Sequence, residues 1–216
     1  MTDIPILWSF RRCPYAMRAR LGIAASGVQI ELREILLRDK PEAFLRDSTS
    51  ATVPCLRAED QRIDESLDVM IWALRQNDPA GWLDMPDEGF ALIAEADGPF
   101  KTALDRYKYA TRHEGVDIRA EQAKAGAYLL RLDTMLNTQG WLFGGKASLA
   151  DMAILPFVRQ FAFVDKVWFD AQPWPNVQAW LARFLCSDAF GAIMSKYPLW
   201  QPGQSGVLFP EVSNAP

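Results

Sequence analysis

Cys13 is the side chain with the most chemistry to offer. It sits in the run Ser9-Phe10-Arg11-Arg12-Cys13-Pro14-Tyr15-Ala16-Met17-Arg18-Ala19-Arg20, where a short apolar stretch gives way to apolar residues at helical spacing. Met17, Leu21, Ala24 and Ala25 fall on one helix face. Pro14 suits the first helical position, because its missing N–H is one of the unpaired donors there and its fixed φ fits; Gly27 suits the stop. Cys13 then becomes the N-cap. Unpaired N–H groups and the helix dipole favour an anion at that position and can lower a thiol pKa from about 8.5 toward neutrality or below. Arg11 and Arg12 act in the same direction. A thiolate held between strand and helix is a nucleophile; a buried cysteine packed as a small hydrophobe is the other reading of the same residue.

The remaining reactive residue types are sparse. The three cysteines, Cys13, Cys55 and Cys186, are odd in number and widely spaced, which fits neither a disulfide framework nor a zinc site. No metal is expected, and the thiols imply a reducing compartment, the cytoplasm. Cys55, on a strand, and Cys186, on a late helix, read as core. His113 is the only histidine and lies between Arg112 and Glu114; it reads as surface loop, which leaves Ser/His and Cys/His catalysis without a base. A net charge of -4 argues against nucleic acid or an anionic membrane as partner, although Arg11, Arg12, Arg18 and Arg20 leave room for a local basic cleft. No apolar run approaches the roughly 18 residues of a membrane span, and the start of the chain lacks the charged and apolar regions of a signal peptide.

The elements around Cys13 follow from periodicity. With 216 residues, half of them hydrophobic, the chain can bury a large core, and two small domains fit the pattern best. Residues 4–8 read as a buried strand and 28–32 as a second one, parallel to the first across the Cys13 helix. Lys40-Pro41-Glu42-Ala43-Phe44-Leu45 opens a short helix, and Ser48, Thr49, Ser50 and Thr52 mark a loop. Val53-Pro54-Cys55-Leu56 begins the next strand, with Asp60 and Gln61 at a hairpin connection. Ser66 caps a helix with Leu67, Met70, Ile71 and Leu74 on its apolar face. The order β-α-β-α-β-β-α gives a small mixed sheet covered by helices, ending where Asn77-Asp78-Pro79-Ala80-Gly81 breaks the pattern. Beyond it only helical patterns follow, over 89–112, 118–136, 149–164, 177–185 and 190–196. Ser148-Leu149-Ala150-Asp151 reads as a capping box of structural importance only, and Trp72, Trp141 and Trp180 as core packing. The organisation is therefore 1–77 an α/β domain, 78–87 a linker, 88–200 an all-helical domain and 201–216 a loosely packed tail.

Taken together these motifs resemble the glutathione S-transferase superfamily, in particular its cysteine-type members, the omega-like transferases and two-domain glutaredoxins. The resemblance rests on Cys13-Pro14-Tyr15-Ala16 with Arg18 and Arg20, Lys40-Pro41-Glu42-Ala43-Phe44, Val53-Pro54, Ile63-Asp64-Glu65-Ser66, Ser148-Leu149-Ala150-Asp151, and Trp174-Pro175-Asn176-Val177 with Trp180. It implies a thioredoxin-like N-terminal domain joined to an all-α C-terminal bundle, with glutathione as co-substrate lying along the first. By the same resemblance Cys13 faces the glutathione sulfur with Tyr15 beside it, and a cis Pro54 turns the backbone of Val53 toward the cysteinyl part of the tripeptide. Glu65 and Ser66 hold the γ-glutamyl end and Lys40 the glycyl carboxylate. Taken singly, Ser66 is equally an N-cap, Glu65 a loop acid and Lys40 a solvated charge.

Ala16 stands where dithiol oxidoreductases carry a second cysteine, so the expected chemistry is monothiol: a Cys13–glutathione mixed disulfide resolved by a second glutathione. The rival is conjugation of glutathione to an electrophile, for which a thiol is a poorer hydrogen-bond donor than a hydroxyl. A third reading is a catalytically silent binding or adaptor protein. The second substrate is a small electrophile or a disulfide, and the resemblance leaves both a homodimer and a monomer open.

Overall fold

The apolar run ahead of Cys13 forms strand β1 (Ile6–Ser9), buried along its whole length, as a strand covered on both faces requires. Strand β2 (Ile30–Glu34) lies parallel to it, Ile6 opposite Glu31 and Trp8 opposite Arg33, and helix α1 (Pro14–Ser26) makes the crossover. Helix α1 starts and stops as its end residues dictate: Cys13 is the N-cap, Pro14 comes first, and Gly27 at φ 71° closes it in the left-handed conformation. Helix α2 (Glu42–Asp47) follows. Strands β3 (Cys55–Ala58) and β4 (Gln61–Ile63) then form an antiparallel pair, β3 lying against β1. The structure is a computed structural model that describes residues 4–59, 61–137 and 139–211, so Asp60, expected in the hairpin connection, lies outside the described residues. Helix α3 (Ser66–Gln76) completes this part. It buries Val69, Met70, Ala73 and Leu74, and leaves the expected Leu67 and Ile71 half-buried. The face is turned because Ser66 is itself the first helical residue and is buried, so the stripe runs from it at i+3, i+4, i+7 and i+8. At Gly22 a Cβ would stand 2.7 Å from the Met70 Cα; glycine is what lets α1 and α3 pack so closely.

The second compact unit is Gly81–Cys186, and its named elements are all helical, as the sequence pattern implies. They are α4 (Glu88–Glu95), α5 (Lys101–Lys108), α6 (Ile118–Met135), α7 (Leu149–Ala162), α8 (Lys166–Asp170) and α9 (Pro175–Leu185). The single helix expected over 89–112 is interrupted by a π-helical turn, Ala96–Phe100. Pro99 lies inside that turn; it lacks an N–H and its ring would clash with a regular preceding turn, so the helix widens by one residue there. Helix α8 escaped the periodicity reading because it is one turn long; Asp165 caps it by accepting from the Trp168 N–H at 2.9 Å. Helix α7 is the buried axis of the unit, and its capping box does more than start a helix. The Asp151 carboxylate is fully buried and accepts from the Ser148 N–H and hydroxyl, the Leu142 N–H and the Trp180 Nε1–H, at 2.6 to 3.0 Å. Burial nevertheless leaves its pKa above the usual aspartate range. Trp180 is core, whereas Trp72 and Trp141 are half-buried.

The expectation of a loose tail over 201–216, of which 212–216 lie outside the described residues, and of a helical domain reaching residue 200 is corrected by the chain's return to its first unit. The described residues from Ser187 on group with those up to Ala80. Helix α10 (Asp188–Ile193) packs on α1, and strand β5 (Val207–Phe209) pairs antiparallel with β2, giving the sheet order β4-β3-β1-β2-β5. The Gly206 N–H donates to Glu31 at 2.7 Å and Gln29 Nε2 to the Pro210 carbonyl at 2.9 Å, while Phe209 is buried. Gly, Pro and Ser signal turns, and a short edge strand between turns carries that composition as readily as a disordered tail.

Replacement of Asp151 by Ala strands four donors in a closed interior. It is expected to lower the unfolding free energy by about 3 kcal/mol or more, measured by urea denaturation followed through tryptophan fluorescence.

Candidate functional site

Two loops meet at Cys13. The first, between β1 and α1, is a turn closed by the Cys13 N–H donating to the Phe10 carbonyl at 3.0 Å. The second enters β3 through the cis peptide bond Val53-Pro54. The Cys13 thiol donates to the Val53 carbonyl oxygen at 3.7 Å. Cys13 is half-buried and rests on a cluster of Ile6, Trp8, Ala16, Ile35, Phe44, Val53 and Cys55. The N-cap backbone of Cys13 is extended, and the chain turns helical only at Pro14, so the sulfur sits at the positive end of α1. Ala16 is fully buried and offers no second thiol.

The loop carrying Val53 is anchored by a carboxylate that follows the neighbouring strand β4. Asp64, just after β4, accepts from the Ser48 hydroxyl at 2.9 Å, the Thr49 N–H at 3.1 Å and the Thr49 hydroxyl. Burial raises its pKa; the Thr49 and Ser48 hydroxyls, the Cys55 thiol and the Thr49 amide outweigh that and hold it below the usual aspartate range. The next two residues are Glu65 and Ser66. Ser66 is not the N-cap: Glu65 is, exposed and making no capping bond, and Ser66 is the buried first residue of α3. Asp64 thus ties the start of α3 to the approach to Val53.

Of the expected site residues, the structure brings Cys13, Val53 and Pro54 into one place and links Glu65 and Ser66 to it through Asp64. Lys40 is exposed just ahead of α2. Tyr15 is half-buried, with the Arg18 guanidinium 5.9 Å from its ring centre. Cys55 is core, and burial with the neighbouring Asp64 and Asp47 pushes its thiol up to about 12. Cys186, expected in the core, is exposed: it is the C-cap that follows the last turn of α9, past the residues that face inward. His113 is exposed, as expected. The local basic cleft does not form, because Arg18 and Arg20 are each only 1% exposed.

Sequence reasoning missed Asp64 and Arg20. The signal for Asp64 was the hydroxyl-rich loop 48–52, whose donors need an acceptor. The signal for Arg20 was its place on a helix whose neighbours Ala16, Met17, Ala19, Leu21 and Ile23 are all buried. Among the described residues no group of three or more His, Cys, Asp or Glu could hold a metal ion, and no helix is long and apolar enough to cross a membrane.

Comparison with known proteins points one way. The model of the glutathione S-transferase N-terminal domain matches residues 7–81, and that of the C-terminal domain residues 102–183. A probable glutathione S-transferase of rice, DHAR2, chloroplastic, is 27% identical over 182 residues, which is 82% of this chain and 64% of that protein, just under two thirds of its length. The glutathione S-transferase omega-1 of the pig is 26% identical over 196 residues, 87% of this chain and 79% of that one. Among solved structures, a glutathione transferase family member from Pseudomonas fluorescens with two glutathione bound superposes at TM-score 0.75 with 17% identity, covering 89% of this chain and 92% of that one. Glutathione transferase Omega 3C of Trametes versicolor superposes at TM-score 0.74 with 15% identity over 93% of both chains.

Two outcomes follow from this geometry. Brief treatment of the native protein with iodoacetamide should alkylate Cys13 and Cys186 and spare Cys55 until denaturant is added, read by mass spectrometry; early labelling of Cys55 would contradict its burial. Asp64 has a lowered folded pKa, so its contribution is present above the unfolded value of about 4 and fades as pH falls through the folded one. Acid unfolding monitored below about pH 4 should therefore be less steep in Asp64→Asn than in the wild type.

Proposed function

The chain belongs to the glutathione S-transferase family, and from that premise we propose that it is a cysteine-type member that transfers thiols through a mixed disulfide between Cys13 and glutathione. The observation that carries this reading is the placement of the Cys13 sulfur at the N-terminus of α1, 3.7 Å from the Val53 carbonyl and beside cis Pro54. An extended thiol peptide needs a free backbone N–H and C=O to pair with, and Val53 lies on the loop that can offer them. Glutathione is the co-substrate, with its cysteinyl part along Val53 and Pro54, its γ-glutamyl end at Glu65 and Ser66, its glycyl carboxylate toward Lys40, and Tyr15 near the sulfur. The pig relative carries an omega-class name, which supports the cysteine type.

The chemistry balances without a metal. The Cys13 thiolate attacks the glutathione-bearing sulfur of a mixed disulfide R–S–S–G; the new Cys13–S–S–G bond forms as R–S⁻ leaves and takes a proton. A second glutathione thiolate attacks the glutathione sulfur of that adduct, giving oxidised glutathione and restoring the Cys13 thiolate. The second substrate is a small disulfide or electrophile. Three widely spaced cysteines fit a reducing compartment, the cytoplasm.

Incubation with oxidised glutathione should add one glutathione to Cys13, located by peptide mass spectrometry. Cys13→Ser should lose mixed-disulfide reduction by at least about a hundredfold. If Cys13→Ser keeps that activity, or if the wild type turns over a chloroaromatic acceptor well and mixed disulfides poorly, conjugation is the correct reading. Failure to bind glutathione at millimolar concentration in calorimetry would favour a binding or adaptor role.

A further inference from the structure

The Arg11 peptide, two residues ahead of the nucleophile, is held from both sides by buried residues of opposite charge. Its N–H donates to Glu34 Oε1 at 2.6 Å, and its carbonyl accepts from Arg20 Nη2 at 2.6 Å. Arg20 also donates through Nη1 to the Ser9 hydroxyl and through Nε to the Ile193 carbonyl at 3.1 Å. The guanidinium thereby joins the end of β1, the Cys13 loop and the end of α10. Both residues lie out of water, Arg20 at 1% and Glu34 at 8% exposure. Glu34 is in turn bound to the returning chain, its carbonyl accepting from the Trp200 N–H at 2.8 Å.

From this arrangement we infer that Arg20 and Glu34 are positioning residues for Cys13: they fix the backbone that presents the sulfur, and Arg20 sets a buried positive charge against the loop that carries it. The charges around Arg20 are those of Glu34 on β2, Cys13, Tyr197 on the segment after α10, and Arg11 on the loop; around Glu34 they are Arg11 and Arg20. Burial lowers the Arg20 pKa to about 10, with Glu34, Cys13 and Tyr197 acting upward and Arg11 downward, so the guanidinium stays charged at neutral pH. Burial likewise raises Glu34, against the Arg11 amide and the charges of Arg20 and Arg11. A cation that attracts the thiolate favours its formation, and an anion that partners the cation moderates the effect.

The inference rests on Cys13 being the nucleophile of the proposed reaction, and its test does not use that reaction. The Cys13 thiol is titrated by its ultraviolet absorbance without glutathione, in a Cys186→Ser background so that Cys13 alone titrates in the accessible range. Arg20→Gln should raise the midpoint by about one unit, that is about a tenfold fall in the ratio of thiolate to thiol at a given pH. Glu34→Gln keeps an oxygen for the Arg11 N–H but removes the anion, and should lower the midpoint by about half a unit, about a threefold rise in that ratio. Arg20→Lys keeps the charge without the three-way fork and should return the midpoint to the wild-type value. Opposite signs for the two charge-removing variants support the inference, since a general loosening of the loop would move both midpoints the same way. Shifts of one sign, or an unmoved midpoint in Glu34→Gln, overturn it. Should circular dichroism show Arg20→Gln unfolded, Glu34→Gln and Arg20→Lys decide alone. The predicted midpoints in a protein without thiol transfer would sink the transfer reading and leave this inference standing.

Discussion

The approach of the Cys13 sulfur to the Val53 carbonyl oxygen is the contact the rest of the site depends on, and it makes an electrostatic demand. As a thiol, Cys13 donates to that oxygen at 3.7 Å; as a thiolate it would face a partial negative charge, which favours the protonated form. A helix N-terminus offers about 0.3–1 kcal/mol to a nearby anion and at most about 2. With about 1.4 kcal/mol per pKa unit, α1 alone supplies roughly one unit of depression, part of which the carbonyl offsets. A second positive source is needed for a thiolate at neutral pH. Arg12 is exposed and its charge is screened, whereas Arg20 is buried against the loop that carries Cys13.

That division explains what could be read in the sequence and what could not. Local rules sufficed for α1: a proline that fits only the first turn and a glycine that fits the left-handed stop bracket it at both ends. They sufficed for the parallel pairing of β1 and β2, because two short apolar runs joined by a helix form such a pair across it. They failed for Arg20, since an arginine close to Arg11, Arg12 and Arg18 reads as part of a local basic cleft, whereas α1 is buried nearly all round. Its carbonyl and hydroxyl partners come from Ser9, Arg11 and Ile193, the last 173 residues away, and no local pattern announces such a bond. Asp64 was within view as part of Ile63-Asp64-Glu65-Ser66, but its role belongs to donors on another loop. Ser66 shows a subtler error: a hydroxyl at the mouth of a helix reads as a cap, yet a shift of one residue made it the first buried helical position.

The returning segment has a physical task that composition concealed. Without β5, strand β2 would be an edge with unpaired N–H and C=O groups, a surface that invites association. Residues Val207–Phe209 pair with it, and Trp200 packs edge-on to Trp8 with ring centres 5.0 Å apart while Arg33 lies over both rings at 5.0 and 4.8 Å. Trp8 in turn donates to Asp47 at 2.8 Å, at the end of α2. Each of these contacts stabilises the strand pair that leads into the Cys13 loop and the Val53 loop. A segment rich in turn residues is thus part of the frame holding the site, through the same Glu34 whose side chain holds the Arg11 peptide.

The distribution of thiols constrains how any disulfide on Cys13 can be undone. A partner cysteine one helical turn along would stand at Ala16, which is buried and carries no sulfur. Cys55 is the only other thiol in the compact unit that holds Cys13, and it shares a hydrophobic cluster with it. Nucleophilic attack nevertheless requires a thiolate, and burial with Asp64 and Asp47 nearby holds Cys55 protonated with a pKa of about 12. At neutral pH its ionised fraction is on the order of 10⁻⁵, and its thiol donates to the Asp47 carbonyl at 3.5 Å. An internal disulfide within this unit is therefore disfavoured both by ionisation and by hydrogen bonding. A thiol that resolves a disulfide on Cys13 therefore has to come from outside this unit.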